Sequence, residues 1–414
     1  MRAASFDNLA CLSLKLHKSI CLFYFLIYDK QNRRDINTMT PYKPQVLPLE
    51  NSDLFNENEA SLIKLVGEAN RSLARYDGLL QALPNPALML SPLTNQEAVL
   101  SSKIEGTQAT IEEVLEYEAG GEQDEGTRQD IQEIQNYRTA LTLGAEYLAG
   151  SSGNDVITPW LLKALHEKLM NSVRGQDKTP GQFRDDQNWI GRPGSTIEQA
   201  SFVPPEPLQL LNHIDNWAHY LQQEQEDPLI QTAVMHAQFE LLHPFKDGNG
   251  RIGRLLIPLF LYGKGVIQTP SFYLSDYLEK HRDQYYAGLQ GISAENNWSL
   301  WITFFLQAVR EQAGNNMARL QQIMQLYEWS KGEVQRITHS QHSAAIVDAL
   351  FTRPVFRAAD LADNAGLERS SIYPIIRKLE QQAVIEVLVA GKGRRSSLYL
   401  FAELLNTVEG RKVI

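Results

Sequence analysis

The densest concentration of reactive groups in the chain is the stretch His243-Pro244-Phe245-Lys246-Asp247-Gly248-Asn249-Gly250-Arg251-Ile252-Gly253-Arg254, which joins two helical patterns. Glycine loses the most backbone freedom in a helix, so Gly248-Asn249-Gly250 predicts a turn, with a new helix starting at Arg251. A glycine-rich turn feeding a helix presents unpaired N–H groups and the positive end of a dipole, which suits an anion. Arg251 and Arg254 are three residues apart and can point to one side of the first turn. Arginine holds phosphate oxygens bidentately. Asp247 could hold Mg²⁺, which binds nucleotides through one or two carboxylates plus phosphate oxygens. His243, with an ordinary histidine pKa of about 6.5, suits a general base. Together these residues predict phosphoryl chemistry on a nucleotide. Spacing alone leaves a plain helix–turn–helix connection open.

The elements that must position these groups are mostly helical. Leu62, Leu65, Val66, Leu73, Leu79 and Leu80 form a helical stripe over Asn58–Leu80, broken by Pro84-Asn85-Pro86. Further helices are predicted over Asn95–Tyr117 and Thr127–Leu148, with a loop through Gly120-Gly121 between them. After a loop at Gly150–Asn154, Thr158-Pro159 caps a helix running to Val173. Residues 175–207 are rich in Gly, Pro and Gln and predict a loop or small hairpin around Trp189-Ile190 and Phe202-Val203; long irregular segments are often functional. Helices follow over Pro207–Gln225, Leu229–Leu242, Arg251–Tyr262, Leu274–Ile292 and Trp298–Gln335. Beyond Ser340 short helices alternate with turns, and Val384–Val389 and Ser397–Phe401 pattern as strands. The fold class is mainly α, divided as 39–150, a core at 151–335 and a small domain at 336–414.

Composition excludes some classes. At 414 residues, 43% apolar and 21% charged, the chain is globular rather than disordered or collagenous. A net charge of -10 gives no global field toward nucleic acid or an anionic membrane. Cys11 and Cys21 are the two cysteines, so the body has no disulfide framework, as expected in a reducing, cytoplasmic setting. The apolar run Ile20–Tyr28 is shorter than the roughly 20 residues of a membrane span. Tyr28-Asp29-Lys30-Gln31 offers no small-residue cleavage site. Met39 precedes a domain-like opening, Thr40-Pro41-Tyr42-Lys43-Pro44, so residues 1–38 are expected to be a non-native or disordered extension.

The 243–254 stretch resembles the Fic signature His-x-Phe-x-(Asp/Glu)-Gly-Asn-Gly-Arg-x-x-Arg at every specified position. The resemblance implies a helical core with a small β-hairpin flap, and transfer of AMP from ATP to a hydroxyl of a target protein. Carried over, His243 is the base, Asp247 holds Mg²⁺, Gly248, Asn249 and Gly250 cradle phosphates, Arg251 and Arg254 neutralise them, and Phe245 anchors the loop. Ser101-Ser102-Lys103-Ile104-Glu105-Gly106 resembles the family's inhibitory motif (Ser/Thr)-x-x-x-Glu-(Gly/Asn), which implies that Glu105 pairs with Arg254 and restrains the enzyme. Leu83-Pro84-Asn85 and Glu97–Thr107 are similar to the family's N-terminal region. The interval from Gly181-Gln182-Phe183-Arg184 to Ser201-Phe202-Val203 corresponds to the flap, whose edge would register a target backbone. Tyr285 and Tyr286 correspond to a tyrosine pair beside the nucleotide; His213 and His236 are ordinary helix residues. Self-modification and a homodimer are further implications. Two alternatives remain: transfer of another nucleotide or phosphocholine, and a transcription regulator with a Fic-derived sensor domain.

The C-terminal residues resemble a winged helix-turn-helix. Phe356–Ala362 and Glu368–Leu379 are its helices, with a turn at Asn364–Leu367 and a hairpin behind. Arg369, Ser370, Ser371 and Tyr373 would face a DNA major groove, and Lys392, Arg394 and Arg395 would sit at the wing tip. Asp360, Asp363 and Glu368 dilute that patch, and Pro374 is expected to kink the second helix. Such modules also dock proteins.

Overall fold

In a computed structural model of the chain, the structure describes residues 40–54, 59–83, 85–150, 157–171, 178–192, 194–225, 227–393 and 395–413. The expected extension at 1–38 with its cysteines, Pro84, the loop after Gly150, Val173 and Arg394 lie outside the described residues.

The helices are α1 (Asn51–Leu54), α2 (Glu59–Gln81), α3 (Pro86–Ile104), α4 (Ile111–Glu118), α5 (Glu125–Gly150), α6 (Pro159–Leu169), α7 (Pro207–Gln222), α8 (Pro228–Leu242), α9 (Asn249–Gly263), α10 (Ser275–Lys280), α11 (Arg282–Glu295) and α12 (Trp298–Thr338). Local chemistry sets their ends. Asn85 accepts from the Leu88 N–H with Pro86 in the first turn of α3, and Thr158 does the same for Leu161 at the start of α6. Asp227 accepts from the N–H groups of Leu229 and Ile230 to open α8.

In the body, three predicted helices change. The one expected over Asn95–Tyr117 is two, because Gly106 takes a left-handed φ of 105° and Thr110 with Glu113 forms a capping box that restarts the helix at Ile111. Glu105 therefore caps a helix end instead of lying inside a helix. The one expected over Leu274–Ile292 is also two, meeting at His281. The helix expected from Arg251 begins at Asn249, after Gly248 at φ 76°. Gly250 sits in that first turn beneath Glu105, where a Cβ would lie 2.2 Å from Oε1.

α8 and α9 are the centre of the core, buried on nearly every face. The indole N–H groups of Trp217 and Trp301 donate to the Met235 and Ala233 carbonyls and lock α7 and α12 onto α8. The hairpin expected before α7 consists of one antiparallel bridge, Ile190 to Phe202. None of the helices is long and apolar enough to cross a membrane among the described residues.

α12 runs through residue 335 to Thr338 and carries the C-terminal segment. That segment comprises α13 (Ser343–Thr352), β1 (Val355–Arg357), α14 (Ala358–Asn364), α15 (Arg369–Gln381), β2 (Glu386–Val389), β3 (Leu398–Leu400) and α16 (Ala402–Glu409). Its sheet is antiparallel in the order β1-β3-β2. Phe356-Arg357, expected in a helix, instead pairs with Tyr399 and Leu398, and the helix starts at Ala358. α15 continues through Pro374 to Gln381, so the expected kink does not end it. The segment packs on the body. Arg357 donates to the Ala119 and Gly120 carbonyls, Gln96 donates to the Val408 carbonyl, and Tyr327 meets the Phe351 ring edge-on.

Candidate active site

His243 ends α8 in a left-handed conformation, φ 47° and ψ 59°. Its Nδ1 lies 3.3 Å from the Glu240 carbonyl, to which Nδ1–H donates, leaving the Nε2 lone pair for other work. Burial lowers its pKa to about 4, helped by Arg184 and opposed by the Glu240 carbonyl, Glu105 and Asp247. The imidazole is therefore neutral near pH 7, as a base must be.

The loop beyond it is built around Phe245. Its fully buried ring stacks on His166 at 3.8 Å and packs against Phe183. The Gly181 N–H donates to His166 Nδ1, so Nε2 carries the proton and donates to the Asp247 carbonyl at 3.1 Å. The Asn249 side-chain amide braces the loop, accepting from the Phe245 N–H and donating to the Phe245 carbonyl, both at 2.8 Å; its backbone N–H belongs to the first turn of α9. Asp247 is exposed and accepts from the Gly248 N–H. No cluster of three or more His, Cys, Asp or Glu able to hold a metal occurs among the described residues. One exposed carboxylate beside a helix N-terminus fits an Mg²⁺ carried in on nucleotide oxygens, not a site made of protein alone.

The two arginines are buried and differently partnered. Arg251 pairs with Glu133 on α5 at 2.9 Å, while its Nε is buried without a hydrogen-bond partner. Arg254 donates to the Ser101 hydroxyl and carbonyl and to Glu105 at 2.7 Å. Burial raises the Glu105 carboxyl, but Arg254, aided by Arg251 and His243, outweighs it and leaves the group below the usual carboxylate range. A Cβ on Gly250 would lie 2.2 Å from Glu105 Oε1. The carboxylate thus rests directly on the first turn of α9, where a helix N-terminus receives an anion.

Other expected residues are arranged as follows. Gly106 supplies the turn behind Glu105. Tyr285 is buried and donates its hydroxyl to His236, whose Nδ1–H donates to the Gly253 carbonyl; Tyr286 lies beside it, half-buried. Tyr285 and His236 thereby brace α8, α9 and α11 against one another. His213 is a half-buried residue of α7. In the flap, the Ser201 and Phe202 N–H groups donate to the Ile190 carbonyl, and the Val203 carbonyl accepts from the Tyr42 N–H at 2.8 Å. The Ser201–Val203 segment thus carries one bridge to Ile190 on one side and one hydrogen bond from Tyr42 on the other. In the C-terminal segment, Ser370, Ser371, Tyr373 and Lys392 are exposed, while Arg369 pairs with Asp363 and Arg395 with Glu122.

Three residues of this region were not singled out by spacing. His166 and Arg184 brace the loop through backbone groups far away in sequence. Glu240 has a buried, unpartnered Oε1, and burial, partly offset by Arg254, raises its carboxyl to about 8. A Cβ on Gly253 would lie 2.2 Å from that oxygen. The signal for Glu240 was its place three residues before His243.

Known proteins resemble this chain in the same region. The family model described as Fic/DOC family N-terminal matches residues 63–146, and the Fic/DOC family model matches residues 156–261. A "Probable protein adenylyltransferase" of Aquifex aeolicus is 28% identical over 182 residues, 44% of this chain and 51% of that protein. "Protein adenylyltransferase Fic" of Aedes aegypti is 27% identical over 184 residues, 44% of this chain and 31% of that protein. The chain thus spans about half or less of the length of these relatives. Among solved structures, a Fic family protein of Desulfovibrio desulfuricans aligns at TM-score 0.52 and 20% identity, covering 84% of this chain and 97% of that one. Fic-1 of Caenorhabditis elegans aligns at TM-score 0.50 and 19% identity, covering 65% and 76%. Both likenesses concern the fold.

Proposed function

Because the chain is a Fic/DOC family protein, we propose that it transfers AMP from ATP to Ser, Thr or Tyr hydroxyls of a protein, itself included, and that Glu105 restrains it. The observation that carries this reading is the Glu105 carboxylate lying over Gly250 and held by Arg254 at 2.7 Å. On this reading the carboxylate stands where a phosphate would bind.

In the reaction, His243 Nε2 accepts the proton of the target hydroxyl. The oxygen then bonds to the α-phosphorus, the bond to the β-phosphate oxygen breaks, and pyrophosphate leaves. The N–H groups at the start of α9 and the Arg251 guanidinium hold the phosphates, and the unpartnered Arg251 Nε is a donor available to them. Asp247 is the residue that would hold Mg²⁺, whose charge would offset that of the departing pyrophosphate. Arg254 binds the γ-phosphate once Glu105 releases it, which aligns the α-phosphorus for in-line attack.

The test is Mg²⁺-dependent labelling with ATP, GTP, UTP and CDP-choline in parallel, on the wild type, Glu105→Gly and His243→Ala. Labelling by ATP, raised in Glu105→Gly and lost in His243→Ala, is the expected pattern. Preference for another donor changes the transferred group, and equal labelling of all three proteins refutes the assignment.

The C-terminal segment is read as a winged helix-turn-helix, with support from its order α13, β1, α14, α15, β2, β3 and its three-stranded antiparallel sheet. A salt-dependent mobility shift with duplex DNA would mark it as a DNA reader. Absence of any shift at low salt would favour protein docking.

A further inference from the structure

Among the described residues, the mechanism above leaves one buried arginine unused. Arg184 stands at the entry of the flap and is 3% exposed. Its backbone N–H donates to the Pro244 carbonyl at 2.9 Å, and Nε donates to the His243 carbonyl at 2.9 Å. Nη2 donates to the Pro205 carbonyl at 2.6 Å and to the Leu242 carbonyl at 3.4 Å, and Nη1 donates to the Asp186 carbonyl at 3.3 Å. Every one of these acceptors is a backbone carbonyl. They come from the end of α8, from the loop after it, and from both stems of the flap.

Two physical points follow. A buried charge is costly unless hydrogen-bonded, and this one sits where the carbonyl end of the α8 dipole favours a cation. Secondly, a histidine in the left-handed region is strained unless its surroundings hold it there. The guanidinium fixes the carbonyls on either side of that strained residue. A lysine ammonium could reach one or two of these oxygens but could not span a planar fork of four.

We propose that Arg184 is a positioning residue for the transfer reaction, locking the left-handed backbone of His243 to both stems of the flap and so setting the base in register with the docked target. This rests on the reading of His243 as the base. Arg184 also bears on the charge of the imidazole. The groups facing His243 are the Glu240 carbonyl on α8, the Glu105 carboxylate on the end of α3, Asp247 in the loop and Arg184 at the flap. Of these, Arg184 favours the neutral ring and the other three favour the cation.

The test uses the full chain carrying Glu105→Gly, alone and with Arg184→Lys or Arg184→Met. Melting curves establish folding, calorimetry gives ATP affinity, steady-state kinetics give kcat, and ring NMR shifts give the His243 titration. Misplacing a reacting group by about 1 Å costs on the order of 100-fold. The expected result is kcat lowered by about that factor in both variants, with ATP affinity within roughly twofold of the parent. In Arg184→Met the acid limb of the rate profile and the His243 titration should both move to higher pH; in Arg184→Lys, which keeps the charge, they should stay. Unchanged kcat, ATP affinity falling in parallel with kcat, or loss of fold in both variants overturns the proposal. The ring titration separates the two ideas. A shift in Arg184→Met while His243→Ala retains transfer would sink the base reading and leave the Arg184 contact standing.

Discussion

Replacing Glu105 by glycine removes a carboxylate and its hydrogen bond while leaving the Ser101 contacts of Arg254 in place. Two unit charges about 4 Å apart attract by roughly 4 kcal/mol at an effective dielectric of about 20. Arg254 is 2% exposed but the Glu105 side chain is 35% exposed, so solvent screens part of that attraction. A charge-assisted hydrogen bond of about 1.5–3 kcal/mol is the more realistic figure. Releasing a cation held by that much raises its availability to phosphate roughly 10- to 100-fold. Sterics act in the same direction, because Glu105 Oε1 lies 2.2 Å from the site of a Gly250 Cβ and shares that space with no other anion. Self-labelling with ATP should therefore rise about 10- to 100-fold in Glu105→Gly, and by less in Glu105→Gln, whose amide can still accept a weaker hydrogen bond. Stability gives an independent readout. Without nucleotide the variant leaves Arg254 buried beside Ser101 alone, so its melting temperature should fall, and ATP with Mg²⁺ should raise it more than in the wild type. Labelling at the wild-type rate together with an identical ATP-induced melting shift would refute the reasoning.

The remaining predictions address the base, the loop anchor and a buried acid. His243→Ala should lose about 100-fold or more in transfer, the usual scale of a general base, while ATP affinity stays within roughly twofold. Because the His243 pKa is lowered to about 4, the acid limb of the rate profile in Glu105→Gly should lie well below the ordinary histidine value of about 6.5. Phe245→Ala removes a fully buried ring stacked on His166 and should cost about 3–5 kcal/mol in denaturant unfolding. Glu240→Gln tests the raised carboxyl. Between the ordinary value near 4.5 and about 8 the folded wild type holds a proton that the unfolded chain has lost, so its stability declines as pH rises through that window. The melting temperature of Glu240→Gln should gain on the wild type from pH 5 to pH 8 and keep a constant lead above; a constant gap throughout would mean that Glu240 titrates normally.

What was legible in the sequence was what local chemistry decides. Thr158 marks a helix start because a short polar side chain can bond the next N–H groups; Asn85 does the same in the structure, where the sequence read only a break and placed the helix start at Asn95. The Gly248 turn was legible because a left-handed residue there suits glycine. α9 starts two residues before Arg251, because Gly250 is seated in its first turn beneath Glu105, a contact that comes from a distant segment. β1 was missed because Phe356-Arg357 is a strand only by virtue of β3, some forty residues later. Arg184 and His166 gave no spacing signal, since their partners are carbonyls of distant segments. Glu105 was found by resemblance alone; its neighbours in sequence do not distinguish a carboxylate bound to Arg254 from one bathed in solvent.

The site holds two arginines three residues apart, and their partners decide which of them can switch. Arg251 pairs with Glu133, and both side chains are almost fully buried, so separating the pair is costly. Glu133 also belongs to the interior of α5, a 26-residue helix, and is itself buried. Glu105 differs on both counts. It sits at a helix end, next to Gly106 at φ 105°, and its side chain is partly exposed. Withdrawing it costs one screened ion pair, while the Ser101 oxygens keep Arg254 partly satisfied. A phosphate arriving on α9 therefore competes for Arg254 and leaves the Arg251–Glu133 pair intact. On the proposed reading, Arg251 is the permanent part of the phosphate site and Arg254 the exchangeable part, which predicts that Glu133→Gln impairs ATP binding where Glu105→Gln improves transfer.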